Sequence, residues 1–243
     1  MRRYIFALLS LFCFTAVAQQ RVEGSKAIVM AKTEQLQPYS GVVIDGNIDV
    51  VLRRAEGAEG LKVTYDQRSN SLPRVRMSID KGGVLTIAER AERAESQQST
   101  EVPKVELWYS ELRTISVSGA KARFEGVVES QILDIEVRSG ATVEMALKVL
   151  DADVVCTGGG AITLSGEARY LDLHISNATF EGLQLQTMAT RADASHESIV
   201  KVAVSERLEA VTSTSAKMYY KGEPSVLRVK NSLFGGVIER IKQ

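Results

Sequence analysis

Apolar and polar residues alternate with a period of two through much of the chain, the spacing of strands that bury one face. Ile44, Gly46, Ile48, Val50 and Leu52 form one such row against Asp45, Asn47, Asp49 and Val51, and Leu61-Lys62-Val63-Thr64-Tyr65 repeats it. Val75, Met77 and Ile79 make a third row. Asp80-Lys81-Gly82-Gly83 then supplies glycine for a turn with positive φ, and Leu85 and Ile87 resume the row, so this stretch reads as a hairpin. From Ala88 to Pro103 the chain turns to Glu, Arg, Ala, Ser and Gln with little to bury, the composition of a solvated loop. Val105, Leu107 and Tyr109 return to a strand. Residues 41–111 are therefore expected to form an antiparallel β region after an N-terminal segment, 19–40.

Beyond that point the pattern becomes repetitive. Leucines that open apolar strands recur at Leu112, Leu133, Leu150, Leu171, Leu208 and Leu227, with a gap that Met188 or Thr190 fills, and the mean step is about 19 residues. A turn recurs inside each repeat: Ser118-Gly119-Ala120, Ser139-Gly140-Ala141, Gly159-Gly160-Ala161 and Ser176-Asn177-Ala178. Glycine and asparagine tolerate left-handed backbone, so Gly160 and Asn177 are expected at equivalent places. A second apolar strand follows each turn, and further bends fall at Gly126, Gly166, Gly182 and Gly222. Two strands and two bends in about 19 residues are too short for a helix pair, and the asparagine of a leucine-rich repeat is missing. The fold class expected is all-β, an antiparallel N-terminal region that caps a parallel β-helix over 112–243. Leu133, Leu150 and Leu171 should share one interior column, and Val237 to Gln243 should cover the far end.

The N-terminus changes where this fold is placed. Arg2-Arg3, the apolar run Ile5 to Val17 and Ala16-Val17-Ala18 have the order of a secretory signal peptide, 1–18, cut after Ala18. The run is shorter than the roughly 20 residues that span a bilayer. The protein is thus expected to be exported to the periplasm, outer-membrane surface or medium, and not to span the membrane. Removal of that segment takes Cys13 and leaves Cys156, which follows Val154 and Val155 and reads as a small core residue. Lys and Arg together number 30, as do Asp and Glu, so the basic surplus that would recruit nucleic acid is absent.

Candidate chemistry is sparse. Asp134, Asp151, Asp172 and Glu209 each follow a leading leucine and are expected to stack in one outward column with Arg113, Arg191 and Arg228. That column reads as a solvated face, with a cation or sugar groove as the alternative. Gly158-Gly159-Gly160 lacks the phased aspartates of a calcium-binding solenoid. His174 and His196 make an incomplete zinc set, with His196 expected at a bend. No nucleophile elbow, phosphate loop or dinucleotide fingerprint occurs. The sequence therefore assigns no catalytic, cofactor-binding or metal residues. Asn177-Ala178-Thr179 is a glycosylation sequon only in a eukaryotic secretory path.

The order of features resembles the bacterial family described as putative auto-transporter adhesin, head GIN domain, common in secreted proteins of Bacteroidetes-type bacteria. The residues that carry the likeness are Val42-Val43-Ile44-Asp45-Gly46-Asn47-Ile48-Asp49-Val50-Val51-Leu52, then Gly83-Val84-Leu85-Thr86-Ile87, then the series of small-residue turns. In the later rungs the Ser-Gly turn gives way to Ser195-His196-Glu197 and Thr214-Ser215-Ala216. The resemblance implies an N-terminal antiparallel region joined to a right-handed β-helix, and a role in adhesion. It brings no catalytic or binding residues. The expected function is that of a non-enzymatic binding, scaffold or adhesin-like protein whose partner is a glycan or a cell-surface protein; the alternative is a carbohydrate-active enzyme, a polysaccharide lyase or glycosidase, on the outer face of the solenoid.

Overall fold

The computed structural model describes residues 16–20, 29–57, 59–66, 75–89, 102–231 and 235–241. Every regular element among them is a strand. Five long strands form the body: β10 (Lys121–Arg138), β11 (Thr142–Thr157), β12 (Ala161–Ser176), β13 (Thr179–Ser195) and β14 (Ile199–Thr212). Each pairs in parallel with the next along most of its length. Between β11 and β12 the offset is 19 from end to end, 142 to 161 and 157 to 176. One strand is thus one rung, and the chain advances by parallel stacking, the β-solenoid that the repeat spacing predicts. β15 (Ala216–Lys221), β16 (Val226–Asn231) and β17 (Gly236–Arg240) continue it.

Burial follows from the pairing. Alternate residues point inward, and each inward residue lies on its counterpart in the next rung. The columns Ile135, Val154, Leu173, Ala192 and Val137, Cys156, Ile175, Ala194 are buried throughout. Cys156 is fully buried, and that burial pushes its thiol up to about 12. It packs as the small core residue expected.

The leucine column needs one correction. Leu133 stacks on Ala152, then Leu171, Thr190 and Leu208, all buried, whereas Leu150 is 37% exposed. The reason is a corner. Val149 and Ala152 both point inward, so Leu150 and Asp151 are successive outward residues and the period of two slips there. Thr190 occupies the gap in the series and is satisfied by a 2.7 Å hydrogen bond with the Thr187 hydroxyl, which also lies 2.8 Å from the Ala203 carbonyl.

The turns carry a second correction. Left-handed backbone falls at Gly158 and Gly159, and it is Gly158 that stands level with Asn177, since Thr157 pairs with Ser176. Gly160 has no positive φ. Ser139, Asn177, His196, Glu197, Thr214 and Ser215 hold the same conformation without being glycine, so the decayed late turns keep the early geometry, and His196 sits at the bend expected of it.

The N-terminal end is folded back on itself. Antiparallel pairings join β1 (Ala16–Gln20) to β2 (Val29–Gln35), β2 to β5 (Gly60–Asp66), and β5 to β8 (Lys104–Tyr109). β6 (Val75–Ile79) and β7 (Val84–Glu89) form the expected hairpin, with Ile79 opposite Leu85 and Met77 opposite Ile87. Within this region β3 (Gly41–Asp45) and β4 (Asp49–Arg54) behave otherwise. β3 is parallel to β7 on one side and to β9 (Thr114–Ser118) on the other, and β4 is parallel to β8 and β10. The segment 41–54 is therefore a solenoid rung, inserted between β7–β8 and β9–β10 although it precedes both in sequence. Most of the polar stretch 88–103, residues 1–15 of the expected signal peptide and residues 21–28 of the N-terminal segment lie outside the described residues. At the other end β16 and β17 extend the two sides rather than fold across the core, and Leu227 and Val229 are 46% and 47% exposed.

Candidate functional site

Because inward residues alternate with outward ones in register, the outer side of each strand is also built from columns. On the side formed by the C-terminal halves of β10 to β14 and by β16, one column runs Asp134, Asp153, Asp172, Arg191, Glu209, Arg228. The column at the corner runs Ile132, Asp151, Tyr170, Ala189, Arg207, Val226, and the one on the far side runs Glu136, Val155, His174, Asp193, Val211, Lys230. Asp134 and Asp172 share a column as expected, together with Arg191, Glu209 and Arg228. Asp151 stands one column away, and Arg113 is outside the series, where its guanidinium meets Glu111 at 2.8 Å. The residue missed is Asp153. Its signal was a strict step of 19 from Asp134 to Asp153 to Asp172, which counting from leucines concealed.

These columns border a groove of about 480 Å³ over β10 to β14. Ile132 and Tyr170 form an apolar rim, 57% and 43% exposed, beside the three stacked aspartates. The Arg169 guanidinium lies over the Tyr170 ring, 5.6 Å from its centroid. Asp172 turns Oδ1 into the wall, where it has no hydrogen-bond partner and His174 Nε2 is 3.9 Å away, while Oδ2 is 4.0 Å from Arg191. Asp134, Asp151 and Asp153 form no ion pair with any described residue. Desolvation, and then the neighbouring Asp172 and Asp134 charges, hold the Asp153 carboxyl above its ordinary value, with His174 opposing. Further along, Glu209 gathers Arg207 and, at 3.0 Å, Arg228, and these two cations hold it below the ordinary range.

The raised Asp153 carboxyl has a consequence for stability. A carboxyl with a higher value in the folded state binds its proton more readily there, so its ionisation destabilises the fold as pH rises from the unfolded value through the folded one. Asp153→Asn is expected to unfold at higher urea than wild type at about pH 7, with the difference closing towards about pH 3. Paired urea titrations at the two values check this, and a gap of equal size at both would refute the electrostatic cause.

His174 belongs to an outward column, and His196 lies in a turn where Nδ1 is 3.1 Å from the hydroxyls of Ser176 and Ser195. The two histidines are thus on different parts of the rung. Among the described residues no three His, Cys, Asp or Glu side chains are grouped as metal ligands.

A parallel β-solenoid with an antiparallel N-terminal region and columned outer sides defines the structural class. The chain belongs to the family described as "Putative auto-transporter adhesin, head GIN domain", whose profile matches residues 38–224. Among solved structures it is similar to a "putative adhesin" from Bacteroides fragilis, at 18% identity and a TM-score of 0.79, covering 89% of this chain and 98% of that one. A "putative adhesin" from Parabacteroides distasonis has 20% identity and a TM-score of 0.67, with 89% and 98% covered. A "putative lipid binding protein" from the same species has 16% identity and a TM-score of 0.69, with 88% and 97% covered. At these identities the likeness is one of fold. No curated protein matches the chain.

Proposed function

We propose that the protein is an exported cell-envelope or surface solenoid that works by binding or scaffolding, with the columned side over β10 to β14 and β16 as its recognition surface. The observation that carries this reading is the groove itself, where apolar Ile132 and Tyr170 flank Asp134, Asp151 and Asp153, three carboxylates without ion-pair partners among the described residues. An exposed aliphatic and an exposed aromatic side chain beside unpaired carboxylates offer a partner both apolar area to bury and charge to match. Family membership supports the adhesin-like role, and the N-terminal segment supports export with cleavage after Ala18.

A second reading has one observation in its favour. The carboxyl of Asp153, raised and set between two other carboxylates, has the character of a general acid in glycoside cleavage. The purified protein, incubated with a panel of polysaccharides with and without calcium, is expected to release no reducing ends or unsaturated products while retaining measurable adhesion to cells or glycans. Turnover that disappears in Asp153→Asn would replace the binding reading with the enzymatic one. Mass spectrometry of the exported chain should find Gln19 at its N-terminus.

A further inference from the structure

The three outward columns have a polarity along the solenoid axis. In the first three rungs, on β10, β11 and β12, they present five carboxylates, Asp134, Glu136, Asp151, Asp153 and Asp172, and no lysine or arginine. In the next three, on β13, β14 and β16, they present Arg191, Arg207, Arg228 and Lys230 against Asp193 and Glu209. A surface with an acidic half and a basic half is complementary to itself turned end for end, and a two-fold axis is the operation that makes such a contact closed. We infer that this side is the interface of a homodimer in which two solenoids lie face to face with antiparallel axes. The inference rests on the same recognition surface as the proposed function and names a second copy of the chain as its partner.

Column register makes the match specific. A two-fold axis parallel to the strands, passing between the rung of Tyr170 to His174 and the rung of Ala189 to Asp193, sets each column against itself with the rung order reversed. Asp134 then faces Arg228 of the second copy, Asp151 faces Arg207, Asp172 faces Arg191, and Glu136 faces Lys230; within each chain Glu136 also meets Arg138 at 3.0 Å, and Arg207 and Arg228 also meet Glu209. The uncharged positions match too. Ile132 faces Val226 and Val155 faces Val211, apolar on apolar, and the large Tyr170 meets the small Ala189. His174 faces Asp193. One opposition is unfavourable, Asp153 on Glu209, and it lies beside Arg207 and Arg228. Moving the axis by half a rung puts Asp172 on its own copy in one direction and Arg191 on its own copy in the other, so the charge pattern selects this register over its neighbours.

Six rungs at about 4.8 Å and three columns about 7 Å apart give a patch of roughly 600 Å² on each protomer. The total of about 1,200 Å² lies at the low end of specific interfaces, and the contact is therefore one of moderate affinity, dependent on salt.

Sedimentation equilibrium of the purified protein from about 1 to 100 μM tests the proposal. At low ionic strength a monomer–dimer equilibrium is expected, with the dimer weakening as salt approaches about 0.5 M. Asp134 forms no ion pair or side-chain hydrogen bond with another described residue that folding would lose, and Asp134→Arg sets two pairs of like charges in the dimer, so its Kd should rise roughly tenfold or more. The exchanged variant Asp134→Arg with Arg228→Asp gives up the 3.0 Å Arg228–Glu209 pair inside each chain but restores both intermolecular pairs in reverse, and it should dimerise more tightly than Asp134→Arg or Arg228→Asp alone, which a merely structural defect would not do. A monomer throughout, or a dimer indifferent to Asp134→Arg, overturns the inference, and so does failure of the exchange with circular dichroism unchanged. The two readings separate cleanly: adhesion by a protein that stays monomeric sinks the dimer alone, and a rescued dimer without adhesion sinks the binding role alone.

Discussion

Replacing Phe180 by alanine is expected to destabilise the protein by about 3–5 kcal/mol, read as a lower urea midpoint at unchanged slope. Phe180 lies on β13 and is fully buried. It stacks on Ile162 of the preceding rung and Val200 of the following one. Its ring also occupies the space above Gly182, where an added Cβ would meet the ring edge at 2.4 Å. Removal of the ring therefore opens a cavity that one wall, being glycine, cannot fill, and a rung held by backbone pairing on both sides has little freedom to collapse. The contrast is Leu150→Ala. Leu150 is a leucine of the repeat series, yet it stands at the outer corner, 37% exposed, and its truncation should cost less than about 1 kcal/mol. Equal losses at the two positions would refute the interior column assigned here.

The second large effect is expected at Gly166. Its φ is +99°, outside the range that side chains adopt readily, and a Cβ there would stand 2.1 Å from the Leu147 carbonyl oxygen of the rung before. Both causes act together, and Gly166→Ala should cost roughly 3 kcal/mol or more, with strain and overpacking each contributing about 1–3. Gly126 separates the two causes, because its φ is +87° but a Cβ would meet nothing within 4 Å. Gly126→Ala should lose only the conformational part, about 1–2 kcal/mol. Gly222 repeats the crowded arrangement, its Cβ position being 2.0 Å from the Val204 carbonyl oxygen. Thermal unfolding of the three variants should order Gly166→Ala and Gly222→Ala together, well below Gly126→Ala. A similar loss in all three would mean that backbone strain alone governs these corners.

Much of this architecture is legible in one dimension because a solenoid stacks neighbours in sequence. Leu133, Leu171 and Leu208 fall in one inward column, with Ala152 and Thr190 between them, through a step of about 19 per rung, and that step is visible in the sequence. The Asp80-Lys81-Gly82-Gly83 hairpin is equally local: the Asp80 carboxylate accepts the backbone N–H groups of Gly82 and Val84, so the turn is closed by its own residues. Exposure of the acidic column follows from the same alternation.

What the sequence by itself determined is therefore the class of fold, the inward rows, the step between rungs and the positions of most turns, all consequences of period-two alternation and of which residues tolerate left-handed backbone. Only the tertiary structure decided the rest. Where the chain rounds a corner two successive residues face outward, and alternation carries no sign of it, so Leu150 left the core and Asp153 took the place expected of Asp151. The parallel insertion of 41–54 between two later rungs was hidden for a different reason. β3 and β4 read the same whether their neighbours are parallel or antiparallel, because burial of alternate side chains satisfies both, and the choice lies in backbone hydrogen bonds to strands some 43 to 73 positions away. The repeat already aligned Asp134 and Asp172 with Arg191 and Arg228, but only register set Asp153 between the two aspartates and moved Asp151 and Arg113 out of the column: the membership of a column is made by stacking, and stacking is a property of the folded chain.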